Sequence, residues 1–122
     1  MPMKLIFFVA ANPAADAGRL TAAYHFATAA ADAALDTEVR LAGDAVLAAD
    51  PAFLATVPGA HDLRSRIDTA PSRGVDVSVC PKSTESRGVN REQVEAMGAR
   101  PRSLTEILVE VAQGRSVLVH VG

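Results

Sequence analysis

Cysteine is scarce in this sequence, which contains only Cys80 among its 122 residues. A single cysteine excludes an internal disulfide and any zinc or iron–sulfur site built from several thiolates of one chain. The three histidines, His25, His61 and His120, have neither HxxxH nor HExxH spacing, so we expect no metal and no other cofactor. A lone thiol is typical of a reducing compartment, and we expect a cytoplasmic protein.

Aromatic residues, charge of one sign and long apolar runs are also scarce. Tryptophan is absent and aromatics make up 4% of the chain, which leaves little stacking surface for single-stranded nucleic acid. The formal net charge of -2 provides no cationic field for phosphate backbones or anionic lipid. No apolar stretch approaches the roughly 20 residues that cross a bilayer. The sequence therefore predicts a protein whose partners are neither nucleic acid nor membrane.

The remaining composition is that of an ordinary globular domain. Apolar residues make up 49% and charged residues 21% of the chain, which argues against disorder. The length fits one domain over residues 1–122. Alanine is abundant, with 24 occurrences, and such small side chains let helices approach a sheet closely.

Apolar strand patterns alternate with helix patterns along the chain. The first strand pattern, Leu5–Ala10, is continuously apolar, as expected when helices cover both faces of a sheet. Further strands are predicted at Thr37–Ala42, Val75–Cys80 and Ser116–Val121, with a weak extended piece at Ala99–Arg102. Helices are predicted at Arg19–Ala34, at His61–Thr69, from the N-cap Asn90 to Met97, and from a capping box at Ser103 and Glu106 to Gly114. Residues 44–60 are predicted to form a loop with short helical pieces.

This alternation predicts an α/β fold, an open three-layer sandwich with a mainly parallel, flavodoxin-like sheet of four or five strands. Ligands of such folds bind outside the carboxyl ends of the strands. The side chains that the sequence places there are Asn12 after the first strand, Asp44 after the second, and Cys80 and Lys82 after the third. GxGxxG, GxxxxGK[ST] and GxSxG motifs are absent, so the sequence does not support a nucleotide site or a serine hydrolase elbow.

Cys80 is the candidate nucleophile. The reactive form is the thiolate, which nearby cations and backbone amides stabilise. Residues 80–102 carry five basic against three acidic residues, and we expect Lys82 and Arg87 to stabilise the thiolate. The competing interpretation is that Cys80 is a small buried hydrophobe with no chemistry.

Three stretches together resemble the DsrE/DsrF-like family. They are Val75-Asp-Val-Ser-Val-Cys-Pro-Lys-Ser-Thr-Glu-Ser-Arg-Gly-Val89, the upstream helix AYHFATAA and the segment TEVRLAGDAV. The resemblance implies a compact α/β fold, assembly as a homo-oligomeric trimer or hexamer and, by analogy with the sulfur-relay branch, a persulfide on Cys80. The broad apolar surface of the first helix also favours an oligomer.

Two functions remain open from the sequence. The first is a sulfur carrier that resembles a sulfurtransferase. In it, Cys80 accepts sulfur from a donor and passes it to an acceptor thiol of a small molecule or protein. The second is a non-catalytic oligomeric module that binds a small anion or a protein partner at the strand ends. In either case the predicted binding residues are Lys82, Arg87, Asn12 and Asp44.

Overall fold

Five strands within the described part of the chain form one parallel sheet. A computed structural model describes residues 3–122. Its strands are β1 (Lys4–Val9), β2 (Thr37–Leu41), β3 (Asp76–Val79), β4 (Arg100–Pro101) and β5 (Ser116–His120). Their order across the sheet is β4-β3-β2-β1-β5, and every neighbouring pair is parallel. The predicted α/β class with a mainly parallel sheet is confirmed.

Six α-helices connect and flank the strands. They are α1 (Ala17–Asp32), α2 (Pro51–Leu54), α3 (His61–Thr69), α4 (Pro81–Ser86), α5 (Arg91–Ala96) and α6 (Leu104–Ala112), with 3-10 helices at Gly43–Ala49 and Pro71–Arg73. The chain moves steadily across the sheet from β1 to β4 and then returns past β1 to β5. Right-handed crossovers therefore place α6 on the face opposite to α1, α3 and α5.

The main core lies on the face that α1 covers. Val9, Leu41 and Val79 are paired across three adjacent strands and are fully buried. Leu20 and Tyr24 of α1 belong to the same buried cluster. Burial of these apolar side chains, at roughly 1.5–3 kcal/mol for each large one, is the main force that holds the helices on the sheet.

The opposite face of the sheet has a different composition beneath α6. All five residues of β2 are buried, including Glu38 and Arg40, which alternate with the apolar residues of the strand. Ser78 of β3 lies opposite Arg40 in register and is also buried. The second face is therefore covered, as predicted, but it holds a polar cluster beside its apolar side chains.

Several helix boundaries differ from the sequence predictions. Helix α1 begins at Ala17 instead of Arg19, because the side chain of Asp16 accepts a hydrogen bond from the Arg19 amide and caps the helix. The segment predicted as a loop with short helical pieces contains the 3-10 helix Gly43–Ala49 and helix α2, and α4 has no counterpart among the predicted helices. No helix among residues 3–122 is long and apolar enough to cross a membrane.

The predicted capping box at Ser103 is only half formed. The Ser103 hydroxyl accepts a hydrogen bond from the Glu106 amide at 3.2 Å, but the carboxylate of Glu106 pairs with Arg102 instead of returning to the Ser103 amide. A complete capping box occurs at α5, where Asn90 and Gln93 bond reciprocally at 2.8 and 2.9 Å. Competition from a neighbouring guanidinium explains the difference, because a charged partner is the stronger one.

Candidate functional site

Cys80 lies where β3 meets α4. Its backbone is extended, with φ -78° and ψ 118°, and its amide donates to Leu41 O at 3.1 Å, which continues the ladder between β2 and β3. Pro81 follows as the first residue of α4, where its fixed φ favours a helix start and its missing N–H costs nothing. The thiol is free and partly buried. The residue therefore lies at the carboxyl end of an inner strand.

Polar groups around the sulfur favour the thiolate. Partial burial raises the pKa of Cys80, but the hydroxyl of Ser83, the amides of Ser83 and Lys82, and the charge of Arg40 together hold it below its usual value. Hydrogen bonds and a nearby cation favour the charged form of a thiol. The surroundings of Cys80 are therefore those of a reactive cysteine more than those of an inert one.

Ser83 connects this site to the segment after β2. Its Oγ accepts a hydrogen bond from the Gly43 amide at 2.9 Å, which fixes the hydroxyl one turn along α4 from Cys80. The sequence analysis did not select Ser83. A hydroxyl three residues after a strand-end cysteine was the available signal, because a short helix after the strand brings that residue back beside the thiol.

Arg40 is the second residue that the sequence analysis missed. It belongs to β2, is 1% exposed and is the cation whose charge acts on the Cys80 thiol. The signal was the pattern Glu38-Val-Arg40 within a strand expected to be covered on both faces, because charged residues in such a strand must be buried together with partners.

Asn12, Asp44 and Arg87 are brought together beside the thiol segment. Arg87 Nε lies 2.8 Å from Asp44 Oδ1, and Asn12 Nδ2 donates to Asp44 Oδ2 at 3.4 Å. The hydrogen bond from Arg87, followed by the one from Asn12, lowers the pKa of the Asp44 carboxyl. This cluster joins the carboxyl ends of β1 and β2 to the end of α4, so the guanidinium of Arg87 already has a carboxylate partner.

Lys82 contributes its backbone and not its ammonium group. The residue is exposed in the first turn of α4, and its amide is the part that lowers the pKa of Cys80. The flexible side chain is directed into solvent, where its charge is screened.

The basic residues of segment 80–102 are mostly neutralised by neighbouring carboxylates. Arg91 pairs with Glu95 at 3.2 Å, and Arg102 pairs with Glu38 at 2.5 Å. The positive charge that the sequence concentrates around the thiol is thus largely compensated within the fold. The cation that acts on the thiol is instead Arg40 of β2, about forty residues earlier in the chain.

Histidine is not part of this site. His25, His61 and His120 are exposed, and the ring of His120 stacks on Phe8 with centroids 5.5 Å apart. Within residues 3–122, no group of three or more His, Cys, Asp or Glu side chains is arranged to hold a metal ion.

By its fold and site, the chain is a small parallel α/β protein with a single thiol of lowered pKa at the end of a strand. The chain belongs to the DsrE/DsrF-like family, whose model matches residues 3–120. This family is generally linked to sulfur relay.

The solved structures that share the fold include the following two. The chain is similar to the ychN protein from E. coli, with a TM-score of 0.74 and 18% identity over 97% of this chain and 98% of that one. It is also similar to BT1422 from Bacteroides thetaiotaomicron, a conserved protein of unknown function, with a TM-score of 0.70 and 15% identity over 96% and 93% of the two chains. The comparison with curated proteins finds no match.

Proposed function

We propose that the protein is a sulfur carrier that holds a persulfide on Cys80. The observation that carries the proposal is the surroundings of the thiol: the Ser83 hydroxyl, two backbone amides and the Arg40 charge lower its pKa. A thiolate is the nucleophile that sulfur transfer requires. Membership of a family linked to sulfur relay supports the same chemistry.

The proposed transfer has two balanced steps. The Cys80 thiolate attacks the outer sulfur of a donor persulfide, the donor S–S bond breaks, and the donor leaves as a thiol with the proton of its persulfide. An acceptor thiol then attacks the outer sulfur of the Cys80 persulfide, which regenerates the Cys80 thiolate and leaves the acceptor as a protonated persulfide. Neither step involves a net oxidation or reduction, so no oxidant or reductant is required. Because the chain has one cysteine, the acceptor must be another molecule.

The alternative, a module that binds a small anion without chemistry, has less support. Arg87, one of its two expected cationic side chains, is occupied by Asp44 at 2.8 Å. The other, Lys82, is an exposed side chain, and single exposed ammonium groups hold anions weakly in water.

Intact mass spectrometry tests the carrier directly. The protein is incubated with inorganic polysulfide, separated from excess reagent and weighed without reductant, with Cys80→Ser as the matched control. We expect the wild type to gain sulfur that dithiothreitol removes, and the control to gain none. A wild type that gains no sulfur, or equal addition to both proteins, would reject the mechanism.

Assembly as a homo-oligomer is part of the proposal. Large apolar side chains are exposed on α6 and on the adjacent edge strand β5: Leu104 and Leu108 at 49% each, Val109, Val117 and Leu118. Several exposed apolar residues on adjoining elements are typical of an interaction surface. Light scattering should therefore find a trimer or hexamer that Leu108→Asp dissociates. Leu35→Asp, at an equally exposed leucine in the loop after α1, should keep the assembly, and a monomeric wild type would refute it.

A further inference from the structure

Two buried arginines lie on the α6 face of the sheet, and their partners differ. Each of the three guanidinium nitrogens of Arg102 faces a carboxylate: Nη1 lies 2.5 Å from Glu38, Nε pairs with Glu106 and Nη2 with Glu110. Arg40 makes no salt bridge with any residue between 3 and 122. Arg40 therefore brings a positive charge into the interior without a carboxylate in salt-bridge contact with it among the described residues.

The hydrogen bonds of Arg40 use only one of its nitrogens. Nη1 donates to Arg102 O at 2.6 Å, to Val79 O at 3.3 Å and to Ser78 Oγ at 3.4 Å. Nε and Nη2 are buried and have no hydrogen-bond partner among the described residues. A buried guanidinium with unmatched donors is costly unless an anion lies beside it.

Cys80 is the candidate for that anion, since the charges of the two residues act on each other. Side chains alternate along a strand, so Cys80 shares a sheet face with Ser78, which lies opposite Arg40 in register. The 3.3 Å contact of Arg40 with Val79 O holds the guanidinium beside the residue that precedes Cys80. Burial lowers the pKa of Arg40, and the largest opposing effect is the charge of Cys80, followed by that of Glu38, while Arg102 adds to the lowering.

We propose that Arg40 is the positioning residue of the site, and that its buried guanidinium forms an ion pair with the partly buried Cys80 thiolate through Nε and Nη2. The ion pair stands independently of sulfur transfer. Its further role rests on the proposed function: the thiolate and the persulfide anion each carry one negative charge, so Arg40 holds the reacting sulfur in both states.

The pH dependence of thiol alkylation tests the ion pair. Iodoacetamide is reacted with the folded wild type and with Arg40→Met and Arg40→Lys across a range of pH. Loss of the cation in Arg40→Met should move the midpoint of the rate profile to higher pH and slow alkylation near neutral pH about tenfold. Arg40→Lys restores the charge and should recover most of the rate. A folded Arg40→Met with the wild-type profile would overturn the proposal.

Arg102→Met is the matched control, because it removes the other buried arginine of the same face and leaves Arg40 in place. We expect it to destabilise the fold without moving the alkylation midpoint as far as Arg40→Met does. An equal shift would mean that the thiol responds to the total charge of the face, and the specific role of Arg40 would be refuted.

The salt dependence of alkylation tests the ion pair in the wild type alone, so this test does not depend on whether a variant folds. Salt screens exposed charges strongly and buried pairs weakly, so the midpoint should stay constant between low salt and about 1 M. A midpoint that rises with salt would indicate an exposed cation and overturn the proposal.

Alkylation involves no sulfur donor, so it tests the ion pair separately from sulfur transfer. If the reactivity of the thiol depends on Arg40 but the protein takes up no sulfur from polysulfide, the carrier function is rejected and the ion pair is retained.

Discussion

The surroundings of the Cys80 sulfur distinguish it from an ordinary buried cysteine. Apolar burial alone raises the pKa of a thiol and leaves it inert. Here the effect of burial is exceeded by the Ser83 hydroxyl, by two amides and by Arg40. The reactivity proposed for this residue thus depends on groups from α4 and β2 acting together, and each can be removed separately.

Ser83→Ala should reduce the reactivity of Cys80. The substitution removes the hydroxyl that favours the thiolate, so alkylation near neutral pH should slow several-fold, up to roughly tenfold for a lost hydrogen bond to a charged group. It also leaves the Gly43 amide without its acceptor at 2.9 Å, which should cost about 1 kcal/mol of stability.

Ser86→Ala is the control for this prediction. Ser86 belongs to the same helix, but its hydroxyl donates to Ser83 O at 3.2 Å and accepts from Arg87. Iodoacetamide kinetics and urea unfolding should show little change for this variant. The proposed role of the Ser83 hydroxyl is wrong if the two alanine variants react at the same rate.

Helix ends illustrate which features of the elements follow from local sequence. The N-caps at Asn90 and Ser103 could be predicted because a capping side chain acts on amides two or three residues away. The start of α1 was misplaced because Asp16, the true cap, lies in a loop that also contains other capping residue types. The partner of Glu106 was missed although Arg102 lies only four residues earlier, because Arg102 precedes the N-cap Ser103 and the i,i+4 spacing of a helix does not apply there.

Two glycines that follow helices allow the effect of an added Cβ on stability to be compared at matched positions. Gly98 after α5 and Gly114 after α6 both have left-handed backbones, with φ of +81° and +71°. A Cβ at Gly98 would lie 2.5 Å from Pro71 Cγ, whereas a Cβ at Gly114 would meet nothing within 4 Å. The two sites therefore share the backbone strain and differ in the steric clash.

Gly114→Ala should cost about 1 kcal/mol, the penalty of a left-handed backbone for an L residue. Gly98→Ala should cost roughly 1–3 kcal/mol more, because the Pro71 ring must move. Chemical denaturation of both variants measures the difference. Equal losses would mean that the contact between Pro71 and the end of α5 adjusts without cost.

Polar residues beneath α6 connect elements that are distant from one another in the sequence. Lys4 of β1 contacts Glu38 of β2 at 3.2 Å, and Ser78 of β3 donates to Glu38 at 2.6 Å. Arg102, which precedes α6, pairs with the same carboxylate. Three strands and the last crossover therefore meet at one buried carboxylate.

Glu38→Gln should destabilise the protein by roughly 3 kcal/mol, because removal of one partner leaves buried cations uncompensated. Asp76→Asn is the control: it removes the other carboxylate of Lys4, at 3.3 Å, from a side chain that is 53% exposed. An exposed pair contributes at most about 1 kcal/mol. Urea unfolding of the two variants should separate them clearly, and comparable losses would show that burial of Glu38 has no energetic consequence.

The sequence by itself determined the strands, most of the helices and the position of the thiol. The continuously apolar first strand and the alternation of strand and helix patterns led to a parallel α/β sheet, and the sequence Cys80-Pro81 placed the thiol at the end of the third strand. These features follow from periodicity and from neighbours along the chain, which act locally.

Only the tertiary structure decided the charge beside the thiol. The cations expected from segment 80–102 are largely paired with carboxylates, and the guanidinium whose charge lowers the pKa of Cys80 comes from Arg40 in β2. Electrostatic interactions depend on distance in space and on burial, and both were set here by the register of β2 against β3, which no local pattern specifies.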